Sequence, residues 1–388
     1  MRNTRRQWLA SAVGLPAALF GADDRIASVK VRAGDVLSPK VPAPPKFNSD
    51  DDPARSRWFG PFAQIPSGIL VELRTTSGLT GFGLGGGGGA AAYIIDHHLR
   101  DLLVGVKAAN IETIWSQLYG STSFYGRRGL PVMAISGIDL ALWDIAGKAA
   151  GKPVCELLGG QRRKIPGYYT GTNLNWAVGR GFRAFKLPVS SIPPEEGEPG
   201  LKRLEQMVAD ARRTIGPASD LMLDCLGRWN VPFTLLADRR LSRYNIRWFE
   251  EPLMPDELDG YAALCREVRH TRIASGEHEY TRYGFAELIE RKAVQVVQPD
   301  ISWSGGLTEL RRIARMALDR SLVVAPHRGG SLYGLHFIAA TPGCNLAESF
   351  GIGESSTGIM RAMTPDYADG FFTLPDKPGF GVEIPPAG

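Results

Sequence analysis

LMLDCLGRWNVPFTLLADRRLSRYNIRWFEE (221–251) decides how the chain is read. An apolar run turns acidic at Asp224, a helix-period stretch follows, and a second apolar run, IRWFEE (246–251), turns acidic at Glu250 and Glu251. The same unit recurs on both sides: IPGYYTG (165–171), FRAFKLP (182–188), RIASGE (272–277), VQVVQPD (294–300), LVVAPH (322–327) and NLAES (345–349). Helical segments such as LKRLEQMVADARRTIG (201–216) and GLTELRRIARMALDR (306–320) separate most of these runs. Alternating β and α at this spacing predicts a parallel sheet with right-handed crossovers. Eight such units predict a closed (β/α)8-type barrel, an α/β fold, over residues 156–350.

Ahead of the repeat the pattern is mixed. SGILVELRTTSGLTGFGLG (67–85) reads as two strands around a Ser77-Gly78 turn, and helical periodicity follows at 91–104, 108–119 and 131–150. Residues 23–155 are therefore expected to form an N-terminal α+β capping domain, with 351–388 packing back on it. KVPAPPKFNSDDDPARSRWFGPF (40–62) is too long and Pro-rich for a simple connection and is expected to be either a functional lid or disordered. Gly81-x-Gly83-x-x-Gly86 matches a dinucleotide fingerprint, with Asp101 about 20 residues on, but Asp101 falls in helical periodicity and not at a strand end.

The leader differs from the rest. MRNTRRQWLASAVGLPAALFGA (1–22) pairs Arg5-Arg6 with an uncharged stretch from Trp8 to Ala22, too short for the ~20 residues of a bilayer span. A basic start, a short apolar run and a small-residue end predict a signal peptide of twin-arginine type, a mature chain from about Asp23, and a periplasmic or otherwise exported protein. The alternative is an uncut N-terminal helix on a cytoplasmic protein. No membrane partner is expected after leader removal.

The 388 residues are 44% hydrophobic and 22% charged, which excludes disordered, collagen-like and polytopic membrane classes. Net charge is 45 − 40 = +5, without basic runs interleaved with aromatics, so nucleic acid is not an expected partner. Cys155, Cys225, Cys265 and Cys344 lie too far apart for a CxxC pair and are expected to be reduced and mostly buried.

In barrels of this kind chemistry lies at the C-terminal ends of the strands. Those ends carry Lys186, Asp224, Glu250 with Glu251, Glu277 with His278, Asp300, His327 and Glu348. Acids ending three successive strands converge and repel unless a cation neutralises them, and an all-oxygen set suits Mg²⁺. Separate salt bridges at loop starts are the plainer alternative. Asp300 and His327 end the next two units; a carboxylate beside an imidazole fixes its tautomer and makes it a general base. His97, His98, His270 and His336 are read as structural.

Asp224, Glu250 and Glu277 on successive strands, followed by Asp300 and His327, resemble the enolase superfamily. KLPVSSIPPEEGEPGLK, LMLDC, RWFEEPL, SGEHEYTRYGF, QPDISWSGGLTEL, LVVAPH and DKPGFGVEI are most similar to the L-rhamnonate dehydratase group. The resemblance implies Asp224, Glu250 and Glu277 as Mg²⁺ ligands, His327 as the base and Asp300 as its orienting partner. It also implies substrate contacts from His278, Glu348 and a lid arginine, Arg57 or Arg55, while Lys186 either contacts substrate or pairs with a ligand carboxylate. The implied reaction is dehydration of a small acid sugar to a 2-keto-3-deoxy acid by a homo-oligomeric enzyme. Racemases of the superfamily commonly carry Lys-x-Lys where this chain has Lys186-Leu187-Pro188, so dehydration outranks epimerisation; an exported sugar-acid binding protein is a further alternative. Two departures touch sugar specificity: no histidine precedes His97, and Arg328-Gly329-Gly330-Ser331-Leu332-Tyr333 is one residue longer than the group's Gly-Ser-Ser-Val-Tyr. Rhamnonate itself is therefore only one candidate substrate.

Overall fold

A computed structural model describes residues 23–33, 68–351 and 363–384. The leader (1–22) and the loop carrying Arg55 and Arg57 lie outside the described residues.

The front part is a three-stranded antiparallel sheet, β1 (Ile26–Ala33), β2 (Ile69–Thr75) and β3 (Thr80–Gly85), covered by helices. TGFGLG in β3 places glycines against the helix Leu130–Ala149, and a Cβ at Gly83 would lie 2.0 Å from the carbonyl oxygen of Gly137. The glycine run is thus a packing surface in an antiparallel strand, not a phosphate-binding turn between a strand and a helix of a βαβ unit. Leu130–Ala149 is long and apolar enough to span a membrane, yet 89% of that stretch is buried inside the protein. Its Asp144 accepts backbone N–H groups from Phe82 (3.0 Å) and Phe380 (2.9 Å) and pairs with Lys148, tying the C-terminal segment to the front sheet.

Eight parallel strands follow: β4 (Ile165–Thr170), β5 (Ala184–Pro188), β6 (Asp220–Asp224), β7 (Ile246–Glu250), β8 (Ile273–Ser275), β9 (Val296–Val297), β10 (Val323–Val324) and β11 (Ala347–Ser349). They pair in chain order from β4 to β10, and β11 pairs back on β4. The N–H of Gly330, after β10, donates to the carbonyl of Glu348 in β11 and links the last two units. Tyr168, Ala184, Met222, Trp248, Ala274, Val296 and Ala325 form a separate apolar cluster, one inward residue from each of seven units. The interior is therefore a packed core, not a pore. A hairpin of β12 (Asp366–Ala368) and β13 (Phe371–Thr373) adds antiparallel to the start of β4.

Strands β9 and β10 are much shorter than the runs 294–300 and 322–327. Pro299 and Pro326 explain this, since neither can donate an N–H to a ladder. Asp300 and His327 consequently leave the sheet and sit on loops at the barrel mouth.

The front helices dock on the loop that follows Asp300. Trp115 Nε1 donates to the Gly305 carbonyl (2.7 Å), and Ser136 Oγ accepts the Gly305 N–H (2.9 Å). Asp139 Oδ2 accepts the Thr308 N–H (3.0 Å), and Trp143 Nε1 donates to Thr308 Oγ1 (2.8 Å). These buried bonds fix the loop between Asp300 and the helix Gly306–Asp319.

Candidate active site

Register brings the acids together. Asp224 pairs with Glu250 across β6 and β7, and Pro188, two residues beyond Lys186, pairs with Asp224. Lys186 is buried with its Nζ among three carboxylates: Glu250, Glu348 (2.7 Å) and Asp224 (3.4 Å). Burial opposes its charge, but these partners outweigh burial and raise its pKa well above the usual lysine value. The sequence left open whether Lys186 pairs with a carboxylate; the structure shows that pairing.

Glu250 is held on both oxygens, since Trp248 Nε1 (3.0 Å) and Gln298 Nε2 (2.6 Å) donate to Oε2 while Lys186 takes Oε1. Trp248 and Gln298 were not singled out from the sequence. Each lies two residues before a strand-end acid, and that period-2 alternation, which makes both side chains inward, was the available signal. Glu348 accepts from Thr170 Oγ1 (2.6 Å) and the Arg328 N–H (2.9 Å). Burial alone would raise its pKa, but Lys186 and His327 hold it at about 2.

Glu277 follows β8, buried, and His278 beside it donates its Nδ1–H to Glu251 Oε2 at 2.7 Å. Burial disfavours the charged ring of His278, yet Glu251 overcomes this and lifts its pKa to about 9. Glu251, given no role from the sequence, therefore orients His278, and its φ of 40° marks the sharp turn after β7. Ligand atoms of Glu251, Glu277 and His278 all lie within 4.8 Å of one another.

His327 Nδ1 meets Asp300 Oδ2 at 2.7 Å. Asp300 is fully buried and its other oxygen accepts both the N–H (2.7 Å) and Oγ–H (2.6 Å) of Ser302. With Nδ1 engaged, Nε2 faces the mouth, 3.7 Å from Glu277 and 3.8 Å from Glu348. Burial disfavours the imidazolium, but Glu277, Glu348 and Asp300 together raise its pKa. Trp303 and Phe350 wall the ring, with centroids 5.4 and 5.9 Å away.

The donor set fits a hard divalent cation. Burial pushes the carboxyl of Asp224 up to about 7 and that of Glu277 up to about 8, with Glu250 and Glu348 adding to the first and Glu251 to the second against the opposing pull of Lys186 and His327. Glu251 Oε1 is buried without a hydrogen-bond partner. Clustered oxygen donors short of positive charge are the chemistry that Mg²⁺ satisfies.

The remaining sequence candidates separate cleanly. His336 is a core residue accepting the Cys155 N–H at 3.0 Å, and the four cysteines are free, three of them buried. His97 is exposed and His98 half-buried on Ile95–Leu99 of the front domain, where their Nδ1 atoms meet the Tyr93 carbonyl (3.0 Å) and the Tyr125 hydroxyl (2.7 Å).

Comparison with known proteins agrees with this arrangement. The family described as "Mandelate racemase / muconate lactonizing enzyme, N-terminal domain" matches residues 63–159, and "Enolase C-terminal domain-like" matches 173–387. A protein of Caldivirga maquilingensis, provisionally named L-rhamnonate dehydratase, is 38% identical over 338 residues, 85% of this chain and 84% of its own length. A crystal structure of L-rhamnonate dehydratase from Gibberella zeae has a TM-score of 0.82 at 30% identity, covering 95% of each chain. A second structure of that enzyme is a complex with Mg, at TM-score 0.81 and 30% identity over 95% of this chain and 96% of the other. L-talarate dehydratase from Polaromonas sp. JS666, complexed with Mg and L-glucarate, has a TM-score of 0.75 at 26% identity over 94% of this chain and 96% of the other. The chain belongs to the enolase superfamily, with a mandelate racemase / muconate lactonizing type of N-terminal domain in front of its (β/α)8 barrel.

Proposed function

We propose that this protein is a Mg²⁺-dependent acid-sugar dehydratase, a hydro-lyase that converts a 2,3-dihydroxy acid into a 2-keto-3-deoxy acid. The observation that carries the reading is the His327–Asp300 pair, 2.7 Å apart, whose free Nε2 faces buried carboxylates at one barrel mouth. Dehydratases among the relatives support the reaction class, and their Mg complexes support the metal.

Asp224, Glu250 and Glu277 would hold the ion, with Glu251 next to them. When bound, the ion supplies Lewis-acid stabilisation for the negative charge that develops on the substrate carboxylate. Asp300 keeps the Nδ1 proton in place, so Nε2 of His327 is the basic atom and removes the proton from C2. The C2–H electron pair forms the C2–C3 double bond, and the C3–O bond breaks. His327, now an imidazolium flanked by Asp300, Glu277 and Glu348, returns its proton to the departing hydroxide as water. The enol product then tautomerises to the keto acid.

Lys186 contributes a fixed positive charge between Glu250 and Glu348. An epimerase needs a second acid-base group opposite His327; Lys186 is the candidate, and its ion pairs with Asp224, Glu250 and Glu348 favour a fixed structural charge over a proton shuttle. A pure binding protein has no use for an oriented imidazole. The substrate is an acid sugar, with L-rhamnonate one candidate among aldonic and aldaric acids. The test is a screen of purified protein with Mg²⁺ against a library of both classes, reading 2-keto-3-deoxy product. A hit abolished by EDTA and by His327→Asn is expected; no product from any member, with the metal bound, would overturn the reading.

A further inference from the structure

We infer that Arg328 is a specificity-determining residue that receives a second, distal carboxylate, so that the preferred acid sugar is a diacid. The inference rests on the acid-sugar reading above and names the substrate class within it.

Arg328 directly follows His327, in the stretch where the chain is one residue longer than the group it resembles. Its φ is 52°, a backbone state that costs a side-chain-bearing residue energy and persists only when its surroundings enforce it. Glu348 enforces it here by accepting the Arg328 N–H at 2.9 Å. The turn projects the side chain over Trp303, with the guanidinium 4.5 Å from the ring centroid. Stacking fixes the guanidinium plane and leaves its edge N–H groups able to bind an oxyanion in a two-pronged fashion.

Trp303 is itself packed between the two domains. Its ring lies 5.4 Å from His327 and 5.9 Å from His278, and a Cβ at Gly86 of the front domain would come within 2.6 Å of it. Arg328 therefore sits on the rim over Trp303, about half exposed, next in sequence to the reacting imidazole. The other cations of the mouth already serve protein carboxylates: Lys186 serves Glu250, Glu348 and Asp224, and His278 serves Glu251. Arg328 reaches Asp300 only at 3.8 Å, and that oxygen already holds His327. On this inference the first carboxylate of the substrate sits at the acid cluster, C2 at His327 Nε2, and the far end of a six-carbon chain at this rim. A neutral hydroxymethyl or methyl terminus gains little there, whereas a carboxylate gains a charge-assisted pair.

The experiment compares matched six-carbon aldonic and aldaric acids, gluconate against glucarate and their stereoisomeric pairs, on the Mg²⁺-loaded wild type, Arg328→Gln and Arg328→Lys. The wild type is expected to favour the diacid in kcat/KM. Arg328→Gln should lower the diacid-to-monoacid ratio about ten- to hundredfold, mainly through KM, the range of a charged hydrogen bond. Arg328→Lys should restore part of that ratio, as a structural role would not. An unchanged ratio in Arg328→Gln, or a wild type favouring monoacids, overturns the inference. Turnover of monoacids alone would refute it while leaving the dehydratase reading intact. Should no acid be dehydrated, that reading falls, and calorimetric binding of the same pairs to His327→Asn protein decides the inference separately. There a diacid preference lost on adding Arg328→Gln supports it, and equal affinities refute it.

Discussion

His336 gives the structure an acid-sensitive seam whose size can be worked out. The ring is completely buried on the helix Leu332–Ala340, accepts the Cys155 N–H at 3.0 Å, and packs edge-on against Phe380 at 5.3 Å. Burial depresses its pKa from 6.5 to about 3, so the folded protein keeps it neutral where the unfolded chain binds a proton. Stability from this group is fully present above pH 6.5 and is lost as pH falls toward 3, at roughly 1.4 kcal/mol per pH unit. Between pH 7.5 and 5.0 the loss is therefore about 2 kcal/mol. His336→Asn keeps an acceptor for the Cys155 N–H and removes the titration, at a cost of about 1 kcal/mol at neutral pH for the lost contact with Phe380. Urea unfolding of both proteins at pH 7.5 and 5.0, followed by tryptophan fluorescence, reads the difference directly. The site carboxyls of Asp224 and Glu277 also titrate in this range, but they do so in both proteins and cancel. Wild type should lose about 2 kcal/mol more than the variant over that interval. Parallel pH dependence in the two proteins would refute the reasoning.

Other outcomes follow from the same contacts. Asp300→Asn should lower kcat about 10²- to 10⁴-fold, because the amide no longer holds His327 in the reactive tautomer; steady-state kinetics on the active acid checks this. Gly83→Ala should destabilise the front domain by about 1–3 kcal/mol, since its Cβ would meet the Gly137 carbonyl at 2.0 Å, whereas Gly89→Ala, with nothing within 4 Å, should stabilise by up to about 1 kcal/mol; thermal unfolding of both variants compares them. Expression in the native host with N-terminal sequencing of the exported fraction should give a chain beginning near Asp23, as the twin-arginine reading of residues 1–22 proposes.

The barrel was legible because most of its buried apolar runs close, at the strand end or a few residues beyond, on a polar residue that packing does not require. Asp224 and Glu250 show this most plainly, since both close apolar runs and fall in register on neighbouring strands. What the sequence could not show was how that polarity is shared out. Lys186 is read equally well as a substrate contact or an ion-pair partner until the fold places Glu250 and Glu348, from strands 64 and 162 residues onward, around its Nζ. Glu251 looked redundant beside Glu250, because only the turn after β7 sends it to His278 and not to the Lys186 cluster. The role of Trp303 depends on contact with Gly86, more than two hundred residues earlier, and no local pattern carries that information. The glycine run was ambiguous by spacing alone, which cannot distinguish a phosphate turn from a strand stripped bare for a helix; the helical setting of Asp101 was the signal that decided against the turn.

The central claim is proton removal from C2 followed by loss of the C3 hydroxyl. It is tested most directly by turnover of the active acid in D₂O with Mg²⁺, read by NMR. The account predicts a 2-keto acid with one deuterium at C3, absent from the His327→Asn reaction. Recovery of undehydrated acid carrying deuterium at C2, with no keto product, would contradict it and make the enzyme an epimerase.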